Sequence, residues 1–469
     1  MENIEELQQN ERTEEAKGSV VDLTVGSPTK KIIMFALPLL AGNVFQLFYS
    51  WTDAIILGNV KGEALQFGAL SASLPVVNLL LTVVMGFLAG AAVVLGQKFG
   101  KKSFVELKRC YTTLIISMGV LAVAIGVIGF FVSTPLLKLI NVDDSLLPYA
   151  SVYLKFYFAG VPFMIAYNTL AQVIRSLGNS KMPLVALIAC VLLNVALDYL
   201  FTVVMNMDIQ GVALGTMLAQ MVSAVTMAVY VQKKLKLIAL KKGDLVFDKA
   251  LFKSIVKLGV PSTIQNTCAC VGFMVINAIV NGKGAVFTTA FGLGNRIDEI
   301  ITQMLNSFGI AISAYAAQNK GKGEFKRITD GYKSLMLIMT GLVAVFATLI
   351  LCFRIGIINI FLDTDSIDPS EIDVGQVIEV ACTFMNIYLP CVVIMGYMIV
   401  STSLLRGTGA ANLAMLVNLC SFVVRVISAL VLDKVYLYGV FWASPIGWLA
   451  GAVWGIALTL KGTWKKKEL

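Results

Sequence analysis

Apolar residues in this chain are grouped into long runs, which short polar stretches separate. A helix needs about 20 mainly apolar residues to cross the hydrocarbon core of a bilayer. Twelve runs reach that length, at about 31–58, 68–97, 109–134, 147–175, 182–206, 210–236, 251–281, 285–318, 329–354, 375–405, 412–432 and 438–462. The pattern predicts an all-α integral membrane protein with twelve spanning helices, several of them long enough to tilt or to project beyond the bilayer.

The second half of the chain repeats landmarks of the first half at nearly constant spacing. Because each half holds six spans, an even number, both halves insert in the same sense, related by an axis along the membrane normal. Repeats of this kind rock against each other, so the repeat predicts two pseudo-symmetric six-helix lobes and a transporter. The matching pairs are Pro38 with Pro261, Gln97 with Gln318, Pro162 with Pro390, Arg175 with Arg406, and Gly211 with Gly439.

The repeat and the polar stretches divide the chain into five parts. The predicted order is a cytoplasmic disordered tail at 1–29, an N-terminal lobe at 30–236, a basic cytoplasmic linker at 237–250, a C-terminal lobe at 251–462 and a basic cytoplasmic tail at 463–469.

Prolines give further detail at the first span. Ser27 can cap this helix, and Pro28 follows at a position where its missing N–H costs nothing. Pro38 lies inside the run, where it deprives a carbonyl of its helical partner. We therefore expect the first helix to begin near residue 28 and to bend at Pro38.

Basic residues are concentrated in alternate loops, after the second, sixth and eighth spans, and acidic residues follow the ninth. The net charge is +9, yet only 14% of residues are charged, against about 25% in soluble domains. Since cytoplasmic loops carry the excess of lysine and arginine, we expect both termini in the cytoplasm of a plasma-membrane protein. The placement argues against nucleic acid as a partner, and we expect no cleavable signal peptide before the first span. We expect membrane lipid around a monomer.

The chain contains no histidine, so proton chemistry inside the membrane falls to carboxylates. Its eight cysteines lie within or beside apolar runs and are interpreted as small packing residues. We expect no cofactor, and no metal other than a sodium ion at a coupling site. The cysteines are Cys110, Cys190, Cys268, Cys270, Cys352, Cys382, Cys391 and Cys420.

Two aspartates lie deep in apolar runs with no basic residue within a helical turn. At 1.5 Å per residue, Asp53 and Asp198 each lie roughly 12 Å below the outer ends of their spans, and Thr216 lies roughly 8 Å into the sixth span. Asn194 shares one helix face with Asp198, four residues away. These oxygens predict a site for a coupling ion, a proton or sodium. Alternatively, both aspartates only hydrogen-bond neighbouring helices.

Other polar residues leave alternatives open. Arg296, Asp298 and Glu299 can pair locally, although Arg296 could also line a cavity, and Arg425 is either functional or structural. Aromatic faces attract cations, but aromatic residues in spans also serve packing. The candidates for a substrate cavity are Gln46, Tyr49, Tyr157, Phe163, Tyr167 and Asn168.

The ensemble of these residues resembles the multidrug and toxic compound extrusion (MATE) family. The likeness covers nearly the whole chain beyond residue 29. It rests on Pro38, Gln46, Tyr49, Asp53 and Gly58 in the first span, Asn194 and Asp198 in the fifth, Thr216 in the sixth, and the Gln-x-x-Gly endings at Gln97–Gly100 and Gln318–Gly321.

The resemblance implies two six-helix lobes in a V shape and export of cationic, often aromatic, compounds in exchange for protons or sodium. In one branch of the family the coupling site maps onto Asp53, Asn194, Asp198 and Thr216. Another branch uses acids in the seventh and tenth helices, but here the seventh span has no carboxylate beyond Pro261 and the tenth has only Glu379, near its outer end. We therefore expect coupling through the N-terminal lobe.

Three other functions compete with drug efflux. A lipid-linked oligosaccharide flippase of the same superfamily fold would need basic residues in its cavity, whereas the deep charges of the first lobe are acidic. A membrane-bound enzyme would need a nucleophile or base constellation, which the sequence lacks. A channel would not need the two-lobe repeat.

Overall fold

Twelve helices form the part of the chain described by the structure, a computed structural model. It describes residues 20–55, 64–362 and 373–466, without the side chains of 48–55, 64–67 and 361. Each helix is long and apolar enough to cross a membrane, so the predicted all-α architecture with twelve spans is confirmed. The helices are α1 Pro28–Ile55, α2 Ala64–Gly100, α3 Phe104–Leu139, α4 Leu147–Ser176, α5 Lys181–Asp198, α6 Asp208–Lys234, α7 Lys249–Asn281, α8 Ala285–Lys322, α9 Phe325–Phe361, α10 Val374–Gly407, α11 Ala411–Val435 and α12 Gly439–Leu460.

Several helices extend beyond the apolar runs. The α3 helix has 36 residues and α9 has 37, because polar and charged residues continue both helices past the apolar stretch. The first helix begins at Pro28 as expected, and the carbonyl of Ser27 accepts its first backbone hydrogen bond, from Lys31 at 3.1 Å. Pro38 lies inside the continuous α1 helix, and the bend there stays a prediction.

The repeat extends to backbone geometry at the ends of α4 and α10. Gly178 and Gly409 follow these helices with positive φ of 84° and 81°, a conformation that glycine adopts without strain. Their N–H groups donate to the carbonyls of Arg175 and Arg406, both at 2.9 Å. Both helices therefore end with the same left-handed glycine cap, at equivalent positions of the repeat.

The described helices pack into two compact units. The first contains Met34–Gly259 and Ala317–Gly323, and the second contains Val260–Ala316 and the chain from Glu324 onward. Within the first unit, α4 packs against α2, α3 and α6, and α5 packs against α6. Within the second, α10 packs against α9, α11 and α12, and α11 packs against α12. The lobe boundaries given above stay a prediction.

The polar segment between α6 and α7 lies against α3. Lys108 forms an ion pair with Asp244 at 2.6 Å, and the Thr112 hydroxyl donates to the carbonyl of Val246 at 2.9 Å. The Lys108 ammonium and the N–H of Lys241 hold the pKa of the Asp244 carboxyl below its usual value. The segment is thus attached to the first unit by named polar contacts.

Within the first unit, the ends of α2 and α8 approach at backbone contact. A methyl group on Gly100 would overlap the Gln318 carbonyl, and one on Gly321 would overlap the Gln97 carbonyl. These are the two Gln-x-x-Gly endings of the repeat, and each glycine faces the glutamine of the other. Only a hydrogen at these positions allows this crossing.

A segment before α1 covers the same crossing. Leu23 is almost fully buried, and its N–H donates to Gln318 Oε1 at 2.9 Å. Gln318 in turn donates from Nε2 to the carbonyl of Ser176 at 2.9 Å. The buried glutamine therefore joins α8 to both α4 and the N-terminal segment.

Candidate functional site

Three of the predicted coupling residues lie together in the first unit. The Asn194 amide donates to Asp198 Oδ2 at 2.9 Å, and its nitrogen lies 3.4 Å from the hydroxyl of Thr216. Asn194 and Asp198 are fully buried, and Thr216 is half-buried. The four-residue spacing places both α5 side chains on one face, and α6 brings the hydroxyl against that face.

A glycine on α6 creates the space for the Asp198 carboxylate. A methyl group on Gly215 would overlap Asp198 Oδ1 and lie 3.1 Å from the Asp198 nitrogen. Because no larger residue fits at this position, the α6 backbone lies directly against the carboxylate. Gly215, next to Thr216 in the sequence, is a site residue that the sequence analysis missed.

The α5 helix changes geometry immediately after Asp198. Residues Tyr199–Val204 form a wider π-helical turn, which closes as the N–H of Met205 donates to the carbonyl of Leu200 at 2.9 Å. Such turns occur often at functional sites. Neither proline nor glycine lies in this turn, so the sequence carried no signal for it.

Oxygen atoms surround the pocket formed by Asn194, Asp198 and Thr216. The Oδ1 atom of Asn194 is buried and accepts no hydrogen bond from the residues that the structure describes. A buried acceptor without a donor is costly, and carboxylate, amide and hydroxyl oxygens are ligands for hard cations. The donor set fits a proton on the carboxylate or a sodium ion among the oxygens.

The remaining predicted residues lie on α1 and α4. The side chains of Asp53 and Tyr49 lie outside the described part of the structure, and Gln46 is exposed on α1. On α4, Tyr157 donates its hydroxyl to the sulfur of Met164 at 3.3 Å, and the Asn168 amide donates to the Met164 carbonyl at 2.9 Å.

The two other α4 candidates differ in exposure, since Tyr167 is buried and Phe163 is half-buried. Two of the four α4 candidates therefore bond within their own helix, and a third is buried in packing. The assignment of the α1 and α4 candidates to a substrate cavity stays a prediction.

One charged residue of α8, Asp298, interacts with a charged residue of another helix. Asp298 accepts a hydrogen bond from the Thr302 hydroxyl at 3.0 Å and interacts electrostatically with Arg425 of α11. Arg296 is exposed. Among the described residues, the contacts of Asp298 do not include Arg296, because side chains two residues apart do not face each other on a helix.

This chain is similar in sequence to membrane transporters of known families. A family model described as MatE matches residues 38–200 and 261–431. The "Probable multidrug resistance protein YpnP" of Bacillus subtilis is 30% identical over 402 residues, which are 86% of this chain and 87% of that protein. The "Multidrug export protein MepA" of Staphylococcus haemolyticus is 23% identical over 89% of this chain and 90% of that protein.

Solved structures show a likeness in fold. An outward-facing multidrug resistance MATE family transporter of the MOP superfamily superposes with a TM-score of 0.87. The match covers 95% of this chain and 99% of that one, at 18% identity. At this identity the likeness concerns the arrangement of helices alone.

Proposed function

This chain belongs to the MatE family of multidrug efflux transporters, and on that premise we propose that it is a secondary antiporter. It exports lipophilic cationic drugs or toxic compounds in exchange for protons or sodium ions. Members of this family are transporters, not enzymes, and the chain is a multi-pass membrane protein. No observation favours the oligosaccharide flippase.

The observation that carries the coupling mechanism is the buried pocket of Asn194, Asp198 and Thr216. An ionised carboxylate is costly away from water unless a cation compensates it. The Asn194 amide that donates to Asp198 and the Thr216 hydroxyl beside that amide are both neutral. Together with the buried Oδ1 of Asn194, which accepts no hydrogen bond from the described residues, they support a place for an exchangeable cation. Asp53, at similar depth in the sequence, supplies the second carboxylate of the proposed site.

Exchange follows from alternate exposure of this pocket. A proton or sodium ion enters from outside, neutralises the carboxylates and is released when the pocket opens to the cytoplasm. The substrate moves outward in the opposite half of the cycle. Because a bound ion and a cationic substrate are both positive, the acidic site in the first unit attracts either one, and occupancy by one disfavours the other.

The crossing of α2 and α8 is the proposed cytoplasmic gate. Its support is the reciprocal contact of Gly100 with Gln318 and of Gly321 with Gln97, made by the basic endings of two repeat-related helices. Glycine permits backbone contact without interlocked side chains, so the two helix ends can separate when substrate enters from the cytoplasm.

The proposed orientation places both termini in the cytoplasm of the plasma membrane, and one chain is the functional unit. In a cysteine-free background, Leu240→Cys should be shielded from impermeant maleimide in whole cells, and Asp368→Cys should react. The reverse pattern of labelling would refute the orientation.

Dye efflux from proteoliposomes tests the antiport. Purified protein is reconstituted with a cationic dye inside, and an inward proton gradient or an inward sodium gradient is imposed in turn. One of the two gradients should accelerate efflux, and its collapse by an ionophore should abolish the acceleration. Efflux that ignores both gradients would contradict the proposal, and so would transport restricted to anionic compounds.

A further inference from the structure

Arg425 of α11 occupies the position of the second repeat that Asn194 occupies in the first. It lies 231 residues after Asn194, the same spacing that separates the two capping glycines, Gly178 and Gly409. A methyl group on Gly447 of α12 would lie 2.8 Å from Arg425 Cβ, as one on Gly215 would meet Asp198. The α11–α12 pair thus brings a guanidinium into the second unit where α5 and α6 hold the ion pocket.

Arg425 has more hydrogen-bond donors than its neighbours use. A guanidinium carries five N–H donors, and the oppositely charged group near Arg425 is the carboxylate of Asp298. That carboxylate accepts a hydrogen bond from the Thr302 hydroxyl. The Nε of Arg425 is buried and has no partner among the described residues. A donor in that situation requires an acceptor that the described side chains do not supply.

Tyr388 carries a second buried polar group without a partner among the described residues, and it packs against a neighbouring residue of α12. Tyr388 of α10 is 4% exposed, and its hydroxyl makes no hydrogen bond within the described part of the chain. Its ring packs edge-on against Trp448, with centroids 5.1 Å apart. Trp448 directly follows Gly447, the residue against which Arg425 packs. Two residues with a buried polar group that has no partner among the described residues, one of them cationic, therefore pack against consecutive residues of α12.

We propose that Arg425 and Tyr388 form a subsite for the carboxylate group of an amphoteric aromatic substrate, with Asp298 as the internal competitor for Arg425. A guanidinium and a phenol hydroxyl can both donate to one carboxylate, and paired N–H donors match its geometry. Asp298 shows that a carboxylate is the group with which this arginine interacts. The subsite adds amphoteric compounds to the cations proposed as substrates. It rests on the proposed function only for the direction of transport.

The charges around Arg425 define which compounds fit. Asp298 interacts with Arg425, and a second acid, Glu299, interacts with Asp298, so two acids accompany one guanidinium. A simple anion meets a local excess of negative charge and is repelled. An amphoteric compound brings a cation toward the two acids and a carboxylate toward Arg425, so both ends gain opposite charges. The site therefore selects zwitterions over plain anions.

A matched pair of dyes provides the test. Rhodamine 110 carries a cationic ring system and a free carboxylate, and rhodamine 123 is its methyl ester, which lacks the negative charge. Binding of each dye to purified protein in detergent is measured by fluorescence polarisation, without any ion gradient. A result on this assay is therefore independent of whether the protein couples transport to protons or sodium.

The proposal predicts opposite effects of the two charged residues. Arg425→Gln should weaken the binding of rhodamine 110 about tenfold. It should change the binding of rhodamine 123 by no more than about twofold, because only the first dye loses a charged hydrogen bond. Asp298→Asn should strengthen the binding of rhodamine 110, because the side chain that competes for Arg425 loses its charge. Tyr388→Phe should weaken rhodamine 110 by about threefold to tenfold, as expected for one hydrogen bond.

Two further variants keep the test decisive. If Arg425→Gln does not fold because Asp298 is left uncompensated, the double variant Arg425→Gln/Asp298→Asn removes both charges and should still bind rhodamine 110 weakly. Arg354→Gln is the matched control, since the Nε of Arg354 is also buried without a partner among the described residues but lies on α9; it should change neither dye. If Arg425 and Asp298 formed only a structural ion pair, Arg425→Gln and Asp298→Asn would each weaken the binding of both dyes to the same extent. That result would overturn the proposal.

Discussion

The two units of this transporter place different chemistry at equivalent positions of one repeat. On α5, Asn194 contributes a neutral amide beside the Asp198 carboxylate. On α11, the equivalent residue is Arg425, which interacts with Asp298 from α8. In both units a glycine of the next helix, Gly215 or Gly447, allows the backbone to approach the polar side chain.

This difference separates two ways of compensating a carboxylate inside a membrane protein. The guanidinium of Arg425 interacts with Asp298 from within the chain, so that carboxylate has a cationic neighbour without an ion from solution. The Asn194 amide beside Asp198 and the Thr216 hydroxyl carry no charge, and in the proposed mechanism an exchangeable cation compensates the Asp198 carboxylate. The comparison supports the proposal that ion coupling belongs to the first unit and substrate recognition to the second.

The largest expected contrast comes from filling the two glycine positions. Gly215→Ala forces a methyl group into the Asp198 carboxylate and should abolish gradient-driven efflux. Gly447→Ala presses on Arg425 Cβ and the Ser421 carbonyl and should lower stability by about 1–3 kcal/mol, as overpacking does, with coupling retained. Efflux assays and thermal unfolding of the purified variants distinguish the outcomes. The control is Gly119→Ala, where no atom lies within 4 Å of the added methyl; equal loss of coupling in both variants would break the comparison.

A strong but smaller effect is expected at the crossing of α2 and α8. Gly100→Ala or Gly321→Ala should destabilise the closed crossing by about 1–3 kcal/mol and shift the protein toward a form open on the basic side. Labelling of Ser176→Cys in a cysteine-free background should then be about tenfold faster. Unchanged labelling in both variants, with Gly119→Ala as reference, would remove the gate from the account.

The neutral ligands of the first pocket should matter less than the carboxylate. Asn194→Ala and Thr216→Ala each remove one oxygen, and we expect efflux to slow rather than stop. The loss should be larger if the ion is sodium, which needs several oxygen ligands, than if it is a proton. Initial efflux rates at several sodium concentrations measure this difference, and a complete loss in Thr216→Ala would assign the hydroxyl a larger role than proposed.

The smallest effect is expected far from both pockets, at the ion pair of Lys108 and Asp244. Asp244→Asn should raise trypsin cleavage at Lys241 and Lys242 by no more than about twofold, because exposed pairs contribute little. The lowered pKa of Asp244 means that the pair stabilises above the unfolded pKa of about 3.9 and is lost as the pH falls through the lower folded value. The difference in cleavage between Asp244→Asn and the unchanged protein should therefore stay constant between about pH 5 and 8, and a change in that difference within this range would refute the assignment.

Much of the fold and part of the site followed from the sequence. The twelve spans could be predicted because lipid demands long apolar helices, and the repeat could be read from proline and glycine positions. Asn194 and Asp198 share a face because helical spacing alone determines it. Thr216 could be added because its depth in the sixth span is a matter of counting residues.

The remaining features depend on packing between helices. The π-helical turn at Tyr199–Val204 involves no residue that favours it in isolation. Gly215 was indistinguishable from other glycines until the α5–α6 approach was known. Asp298 has an arginine two residues away in sequence, yet its electrostatic partner is Arg425 from α11, a pairing that no local pattern specifies.

The central claim is that Asp198 carries the coupling ion, and one measurement tests it most directly. Purified wild-type protein and Asp198→Asn are reconstituted, and dye transport is followed under two conditions: exchange between equal ion concentrations, and accumulation driven by an imposed gradient. The variant keeps the size and hydrogen bonding of the side chain but cannot hold or release the ion. The account predicts that it retains exchange and loses gradient-driven accumulation, with Asp53→Asn behaving alike and Asp143→Asn, in an exposed turn, behaving as wild type. Gradient-driven accumulation at the wild-type rate in well-folded Asp198→Asn would contradict the account.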